Sequence, residues 1–381
     1  MQRLFNSFFV GGFECSTHRR SDGARLDLLE ATGHARWSAQ DFAAMAASGI
    51  HTVRDGLRWH LIETRPGVYD WSSFLPMLRA ARRQGTQVIW DLCHYGYPDD
   101  IDIWRPEFVE RFARFAAAAA RVVQAEGEAL PFYSPINEIS FWSWAGGDVG
   151  YFNPLSEHRG MELKHQLVRA SIAAIDAIRE IEPRARFVQA DPLINVVPAG
   201  SRGDEIDAAE GYRLAQFEAW DLLSGRQWPG LGGRPDYLDI LGVNFYPHNQ
   251  WVFNGPRVHR GEREYRPFHG MLKELHARYG RPILISETGA EDEERLPWFR
   301  YVTDQVSQAM RAGVPVQGIC WYPILDYPGW DDGRYCPTGL FGYADGEGQR
   351  APFHPLQTAI RESCDAFIHQ GLEAQIGHRS V

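Results

Sequence analysis

The sequence has few cysteines, and none of them is spaced like a zinc ligand or a disulfide framework. Its five cysteines are scattered over 381 residues, with no Cys-x-x-Cys pair among them. Closely spaced cysteines are the signature of both kinds of site. We therefore expect reduced thiols, a cytoplasmic location, and neither a metal site nor a cofactor.

An excess of positive charge and long hydrophobic runs are also missing. The net charge is −10, from 39 Lys and Arg against 49 Asp and Glu, whereas nucleic-acid-binding domains are basic. No run approaches the roughly 20 apolar residues that cross a bilayer. The apolar stretch 5–12 lacks the basic flank and the cleavage site of a signal peptide. We expect no nucleic-acid or membrane partner, and the sequence leaves a homo-oligomer open.

What the sequence does contain is a regular alternation of short apolar runs and longer amphipathic segments. The runs are rich in Val, Ile and aromatics, as buried parallel strands are; they span 8–12, 51–55, 87–92, 131–136, 186–190, 238–245, 282–286 and 316–321. The segments with helical period span 38–48, 71–84, 106–126, 163–181, 208–223, 271–279, 296–311 and 356–368. Eight strands alternating with eight helices predict a (β/α)8 TIM barrel, with residues 1–381 as one catalytic domain. A doubly wound sheet is disfavoured because no glycine-rich phosphate turn follows the first run.

Polar and aromatic residues stand at the predicted strand ends, where the active site of such a barrel lies. They are Arg54, Asp55, Asp91, His94, Tyr95, Asn137, Glu138, Asn244, Tyr246, Glu287, Trp321 and Tyr322. Glu138 follows the fourth strand and Glu287 ends the seventh, so both could face one cleft. Glycoside hydrolysis needs two such carboxylates, one to protonate the leaving oxygen and one to attack the anomeric carbon.

These motifs resemble clan A of the retaining glycoside hydrolases, and most closely family 1, the β-glucosidase-like family. The resemblance rests on Asn137-Glu138, Arg54 with Trp59, His94 with Pro98, His165, and the segments 239–246, 285–289, 321–330 and 341–342. It implies a retaining β-glycosidase that acts on a carbohydrate or glycoside through a covalent glycosyl-enzyme intermediate. The sequence departs from the family at Ile139 (family Pro), Gly329 (family Glu) and Tyr95 (family Trp). A divergent related family is therefore an alternative, and the sugar is left open.

The resemblance implies a nucleophile at Glu287 and an acid/base at Glu138. We expect Arg54 and the Tyr246 hydroxyl to keep the pKa of Glu287 low. We expect burial and the Glu287 charge to raise the pKa of Glu138.

The other implied site residues bind or surround the sugar. Asn137 is expected to bond the sugar 2-hydroxyl, His94 to bind sugar, and Asn244 to orient its neighbours. Trp321 is expected to stack on the sugar face, with Trp330, Tyr95, Trp142 and Trp144 as further rings of the cleft. Glu14 or His18 would take the place of a Gln that the family has after its first strand.

Three alternatives remain at this point. A metal-dependent barrel hydrolase would need His-x-His at the first strand, which instead ends in Gly12-Phe13-Glu14. A transglycosylase would use the same residues with a sugar acceptor in place of water. A non-catalytic sugar-binding protein could use the same scaffold, although two buried like charges would not help it bind.

Overall fold

Eight parallel strands close into a barrel in the computed structural model, which describes residues 3–127 and 130–377. Each strand pairs with its neighbours in chain order, and the first pairs with the last. The strands are β1 Phe9–Gly12, β2 Thr52–Gly56, β3 Gln87–Asp91, β4 Phe132–Ser134, β5 Arg186–Pro192, β6 Ile240–Asn244, β7 Ile283–Thr288 and β8 Val316–Trp321. The predicted TIM barrel and its eight strands are confirmed.

Helices surround the barrel. The longer ones are His34–Ala47, Leu75–Gln84, Pro106–Ala125, Gly160–Arg179, Gly203–Leu214, Glu218–Leu223, Phe268–Tyr279, Arg295–Arg311 and His354–Gly377. The helices that end at Gln84 and Tyr279 stop at Gly85 and Gly280, each with φ of 66°, a left-handed conformation that glycine adopts without steric cost. No helix in the part of the chain that the structure describes is long and apolar enough to cross a membrane.

Several predicted helices differ from the observed ones. The helix expected from residue 71 begins at Leu75, and the helix expected to end at 368 continues to Gly377. The helix expected over 208–223 is interrupted by a 3-10 turn at Ala215–Phe217. The helix expected to begin at Ser38 begins at His34 and is kinked at Trp37. A left-handed Gly33 precedes this helix, so its start has no side-chain cap that the sequence could have revealed.

Side chains inside the barrel form a compact apolar layer below the cavity. Phe5 and inward-facing residues of seven strands contribute to it. The strand residues are Val10, Ile89, Phe132, Val188, Ile240, Leu284 and Cys320. The residues between them along each strand face the helices, because successive side chains of a strand point to opposite faces. This alternation decides which strand-end residues reach the cavity.

Loops and short strand pairs build the rim above the barrel. Asn195–Val197 pairs with Gln250–Val252, and Tyr327–Pro328 pairs with Tyr335–Cys336. The loops also contain three short helices, Leu28–Ala31, Trp59–Ile62 and Ile139–Trp142. Two hairpins complete them, Glu63–Arg65 with Val68–Tyr69 and Phe341–Ala344 with Arg350–Pro352. The helix Ile139–Trp142 matters most here, since it begins directly after Glu138.

Candidate active site

A cavity of about 1570 Å³ opens at the carboxyl ends of the barrel strands. Its inner wall brings together seven of the predicted site residues: Glu14, His94, Tyr95, Glu138, Tyr246, Glu287 and Trp330. Arg54, Asn137 and Asn244 lie behind this wall, fully buried. Residues far apart in the sequence therefore meet in one site, as the barrel predicts.

Glu287 projects from β7 and is held by two donors. Arg54 Nη1 donates to Glu287 Oε1 at 2.6 Å, and the Tyr246 hydroxyl donates to Oε2 at 2.9 Å. Both contacts were expected. Arg54 also binds Asp91, with 2.9 Å from Nε to Oδ1 and 2.7 Å from Nη2 to Oδ2. The guanidinium charge is thus shared between two buried carboxylates.

Burial has the largest effect on the ionisation of Glu287. Burial raises the pKa of Glu287 to about 7; Arg54 opposes the rise and the neighbouring Glu138 adds to it. The expected low pKa is therefore wrong, because burial outweighs the charge of Arg54. The ion pair with Arg54 nevertheless makes Glu287 the member of the pair best placed to carry the negative charge.

Glu138 is the second buried carboxylate, and it is 8% exposed. Its backbone is left-handed with φ of 45°, and the helix Ile139–Trp142 starts after it. Oε2 accepts a hydrogen bond from the Tyr95 hydroxyl at 2.5 Å, and Oε1 accepts one from Asn244 Nδ2 at 2.8 Å. Burial raises the pKa of Glu138 to about 7, with Tyr95 and Asn244 opposing and the charge of Asp191 adding. Burial gives the expected rise, but the charge that adds to it is that of Asp191, where Glu287 was expected.

Asn137 links Arg54, which binds Glu287, to Tyr95, which binds Glu138. Its Oδ1 accepts from Arg54 Nη2 at 2.6 Å, and its Nδ2 lies 2.9 Å from the Tyr95 hydroxyl and 3.0 Å from His94 Nε2. The amide is therefore fully engaged beneath the cavity wall. A bond from Asn137 to a sugar hydroxyl stays a prediction.

Hydrogen bonding fixes the ring of His94. Because Asn137 Nδ2 can only donate, His94 Nε2 accepts, and the ring proton lies on Nδ1. Nδ1 is 3.1 Å from Asp91 Oδ2. One edge of the His94 ring reaches the cavity wall.

Asn244 has the orienting role that was expected. Its Oδ1 accepts from the Ser286 hydroxyl at 2.6 Å, which turns Nδ2 towards Glu138. Ser286 precedes Glu287 on β7. One amide side chain therefore connects the strand of one carboxylate to the side chain of the other.

Cys15, Asp91 and His94 place three possible metal ligands within 4.8 Å of one another. Cys15 Sγ lies 3.3 Å from His94 Nδ1 and 3.7 Å from Asp91 Oδ2. Arg54 already binds both oxygens of Asp91, and burial raises the pKa of the Cys15 thiol well above its usual value. A cation would have to displace the guanidinium and deprotonate this thiol, so the cluster is a poor metal site.

Of Glu14 and His18, only Glu14 lines the cavity. Glu14 Oε1 accepts from the backbone N–H of Ser16 at 3.0 Å and from the Ser16 hydroxyl. His18 is buried against Trp330 and Phe152, with ring centroids 4.6 and 4.7 Å away. Burial lowers the pKa of His18 to about 3, so the ring is neutral. His18 supports the aromatic wall instead of forming its surface.

Trp321 does not face the cavity, and its expected role as a stacking platform is wrong. It is 2% exposed, its Nε1 donates to the Thr338 carbonyl at 2.8 Å, and its ring packs near Phe299 of the outer helix layer. The alternation along β8 explains this: Cys320 points into the barrel, so Trp321 points outward. The next residue, Tyr322, lines the cavity instead.

Of the other predicted aromatic residues, two tryptophans line the cavity and one lies behind its wall. Trp330 lines the cavity beside Tyr95, with ring centroids 5.9 Å apart. Trp144 lines the outer cavity and is 45% exposed. Trp142 is fully buried and its Nε1 donates to the Asn153 carbonyl at 2.8 Å, so it supports the site from behind.

Sequence reasoning missed Asp191. It stands near the end of β5 and accepts from the backbone N–H and the hydroxyl of Ser140 at 3.0 and 3.1 Å. Burial raises the pKa of Asp191 to about 7. Its position directly after the predicted strand 186–190 was the signal that could have found it. The outer wall residues Tyr212, Trp251 and Arg257 lie outside the barrel strands, on a helix, a short strand and a loop, and had no comparable signal.

Comparison with known proteins gives a likeness in fold. No protein-family model matches the sequence, and no curated protein matches it. A family 1 β-glucosidase from Thermotoga maritima in complex with isofagomine lactam superposes with a TM-score of 0.77 at 15% identity, over 95% of this chain and 98% of that one.

Two further structures are similar to the same extent. A rice β-glucosidase mutant in a covalent complex with Glc has a TM-score of 0.74 at 15% identity, over 93% and 97% of the two chains. The AHE enzyme from Alicyclobacillus herbarius has a TM-score of 0.76 at 18% identity, over 96% and 100%. The chain has the fold of the family 1 β-glucosidases. The resemblance first suggested by its motifs thus extends to nearly the whole structure.

Proposed function

We propose that the protein is a retaining β-glycosidase that hydrolyses β-linked glycosides by double displacement. The observation that carries the proposal is the pairing of Glu287 and Glu138 on one cavity wall, each with different partners. Glu287 has the cation Arg54, and Glu138 has the neutral donors Tyr95 and Asn244. Two buried carboxyl groups, one beside a cation and the other beside neutral donors, suit one base and one acid.

In the first step Glu287 attacks the anomeric carbon while Glu138 gives its proton to the leaving glycosidic oxygen. The bond from the anomeric carbon to that oxygen breaks, the aglycone leaves with the proton, and the sugar becomes an ester of Glu287. Arg54 and Tyr246 each hold one oxygen of the Glu287 carboxylate. This fixes the orientation of the group, so that an oxygen lone pair can point at the anomeric carbon.

In the second step Glu138, now ionised, takes a proton from water. The hydroxide attacks the anomeric carbon, the ester bond to Glu287 breaks, and the sugar leaves with its original configuration. The rice β-glucosidase with covalently attached Glc supports a covalent route on this fold. The bound isofagomine lactam of the Thermotoga maritima enzyme supports a sugar-shaped inner pocket.

We assign sugar binding to Glu14, His94, Tyr322 and Trp330, which form the cavity wall around the two carboxylates. The His94 ring and the Glu14 carboxyl group offer hydrogen bonds to sugar hydroxyls. Tyr322 and Trp330 offer ring faces for the apolar side of a sugar.

The test is a panel of nitrophenyl glycosides, both anomers and several sugars, with the wild type and Glu287→Ala. Glu180→Ala removes an exposed carboxylate at the end of an outer helix and is the matched control. Turnover of a β-glycoside that disappears only in Glu287→Ala supports the proposal. Turnover that persists in Glu287→Ala, or sugar binding without turnover across the panel, contradicts it.

A further inference from the structure

The Tyr95 hydroxyl touches Glu138 directly, and the resemblance to family 1 offers no role for it there. Tyr95 follows β3, at a position where that family has Trp, and Trp has no hydroxyl to present. The phenol oxygen lies 2.5 Å from Glu138 Oε2. The contact is therefore a feature of this chain.

The network around Tyr95 fixes the direction of this hydrogen bond. Arg54 donates to Asn137 Oδ1, which turns Asn137 Nδ2 towards the phenol oxygen at 2.9 Å. Since Nδ2 can only donate, the phenol oxygen accepts, and its own proton is free for Glu138. Tyr95 is thus the donor and Glu138 Oε2 the acceptor.

The second oxygen of Glu138 is also an acceptor, because Asn244 Nδ2 donates to Oε1. Two donors satisfy a carboxylate, whereas a carboxylic acid must place its own proton on one of these oxygens. The arrangement therefore favours the ionised form and fixes the plane of the group. Removing either donor should make Glu138 hold its proton to higher pH.

The protein holds Tyr95 firmly in this position. Its backbone has φ of 67°, which is unfavourable for a bulky residue and persists only where the surroundings impose it. Its carbonyl accepts from Asn153 Nδ2 at 2.9 Å. Its ring packs among Phe152, Trp142 and Trp330, at centroid distances of 5.1, 5.8 and 5.9 Å.

We infer that Tyr95 is a positioning residue for Glu138: its hydroxyl orients the carboxyl group and favours the ionised form that the second step requires. The inference rests on the proposed function. Other titratable groups also face Glu138 from the surrounding strands, namely Arg54, Asp191, Tyr246 and Glu287, with Glu14 and His94 across the cavity floor. Tyr95→Phe leaves all of these in place, so a changed titration of Glu138 reports the lost hydroxyl.

The first test is independent of turnover. The Glu138 carboxyl is titrated by NMR of protein labelled with ¹³C at glutamate side-chain carboxyls, and its signal is assigned by its loss in Glu138→Gln. Tyr95→Phe should raise the pKa of Glu138 by about one unit, since it removes one donor to the charged form. Tyr69→Phe removes a hydroxyl from the hairpin after β2, away from the cavity lining, and should leave the value unchanged. An unchanged pKa in Tyr95→Phe overturns the inference.

The second test uses the pH profile of kcat/KM on a glycoside with a poor leaving group, because the first step then depends on the proton of Glu138. In Tyr95→Phe the alkaline limb should move up by about one pH unit, and kcat should fall about tenfold because Glu138 is less well oriented. If Tyr95 had only a structural role, Tyr95→Phe would lower kcat and kcat/KM but would not move the alkaline limb of the pH profile. A wild type that binds sugar without turning it over refutes the proposed function alone, whereas an active wild type with an unmoved limb in Tyr95→Phe refutes the inference.

Discussion

Replacing Arg54 with methionine removes the cation that holds the site together. Arg54 is fully buried and is the ion-pair partner of Asp91 and Glu287. Breaking a buried ion pair by removing one partner costs about 3–5 kcal/mol, against a total stability of roughly 5–15 kcal/mol for a domain. We expect Arg54→Met to lose at least about 3 kcal/mol of unfolding free energy at pH 7, together with activity.

The loss should depend on pH with a definite sign. Burial would raise the pKa of Asp91, but Arg54 and His94 outweigh it, and the pKa is lowered. A carboxyl with a lowered folded-state pKa contributes stability above its unfolded pKa of about 3.9, and that contribution is lost as pH falls. The difference in unfolding free energy between wild type and Arg54→Met should therefore become smaller below about pH 4.

Urea unfolding followed by tryptophan fluorescence measures this difference. Arg54→Met is compared with Arg54→Met/Asp91→Asn, in which one of the stranded charges is removed. The double variant should recover part of the lost stability at pH 7. A loss below about 0.5 kcal/mol for Arg54→Met, which is the range of ordinary surface substitutions, or no recovery in the double variant, would refute the reasoning.

Three further predictions concern other parts of the molecule. Burial opposes protonation of His34, but Asp55 and Asp41 outweigh it and raise its pKa to about 9. Its contribution to stability, full below about pH 6.5, should fall by about 3 kcal/mol as pH rises to 9; a constant difference in unfolding free energy between wild type and His34→Gln over this range would contradict it. Trp330→Ala should raise KM about tenfold with little change in melting temperature, and an unchanged KM would remove Trp330 from sugar binding. Glu138→Ala should lose at least about a hundredfold in kcat/KM on a glycoside with a poor leaving group and much less on a dinitrophenyl glycoside; equal losses on both would argue against its role as the acid.

The barrel and the two carboxylates could be predicted from the sequence because both depend on local pattern. Buried parallel strands give apolar runs, and the ends of those runs place Glu138 and Glu287 at one face. The error at Trp321 has the same origin. The motif located the end of β8 correctly, but a shift of one residue along a strand exchanges inward and outward faces, and Tyr322 has the inward position.

Other features depend on contacts that no local pattern carries. The pKa of Glu287 depends on its burial and on its distances to Arg54 and Glu138, which require the geometry of β2, β4 and β7. The hydroxyl of Tyr95 gains its importance from the left-handed backbone that aims it at Glu138. The role of Asp191 depends on the turn after Glu138, which β5 supports through Ser140.

Covalent trapping tests the central claim most directly. The protein is incubated with a 2-deoxy-2-fluoro β-glycoside carrying an activated leaving group, chosen for the sugar that the panel identifies, and is then digested and analysed by mass spectrometry. The account predicts one fluorosugar on the peptide that contains Glu287 and none in Glu287→Ala. A label on another residue, or turnover of the parent glycoside with inversion at the anomeric carbon, would contradict it.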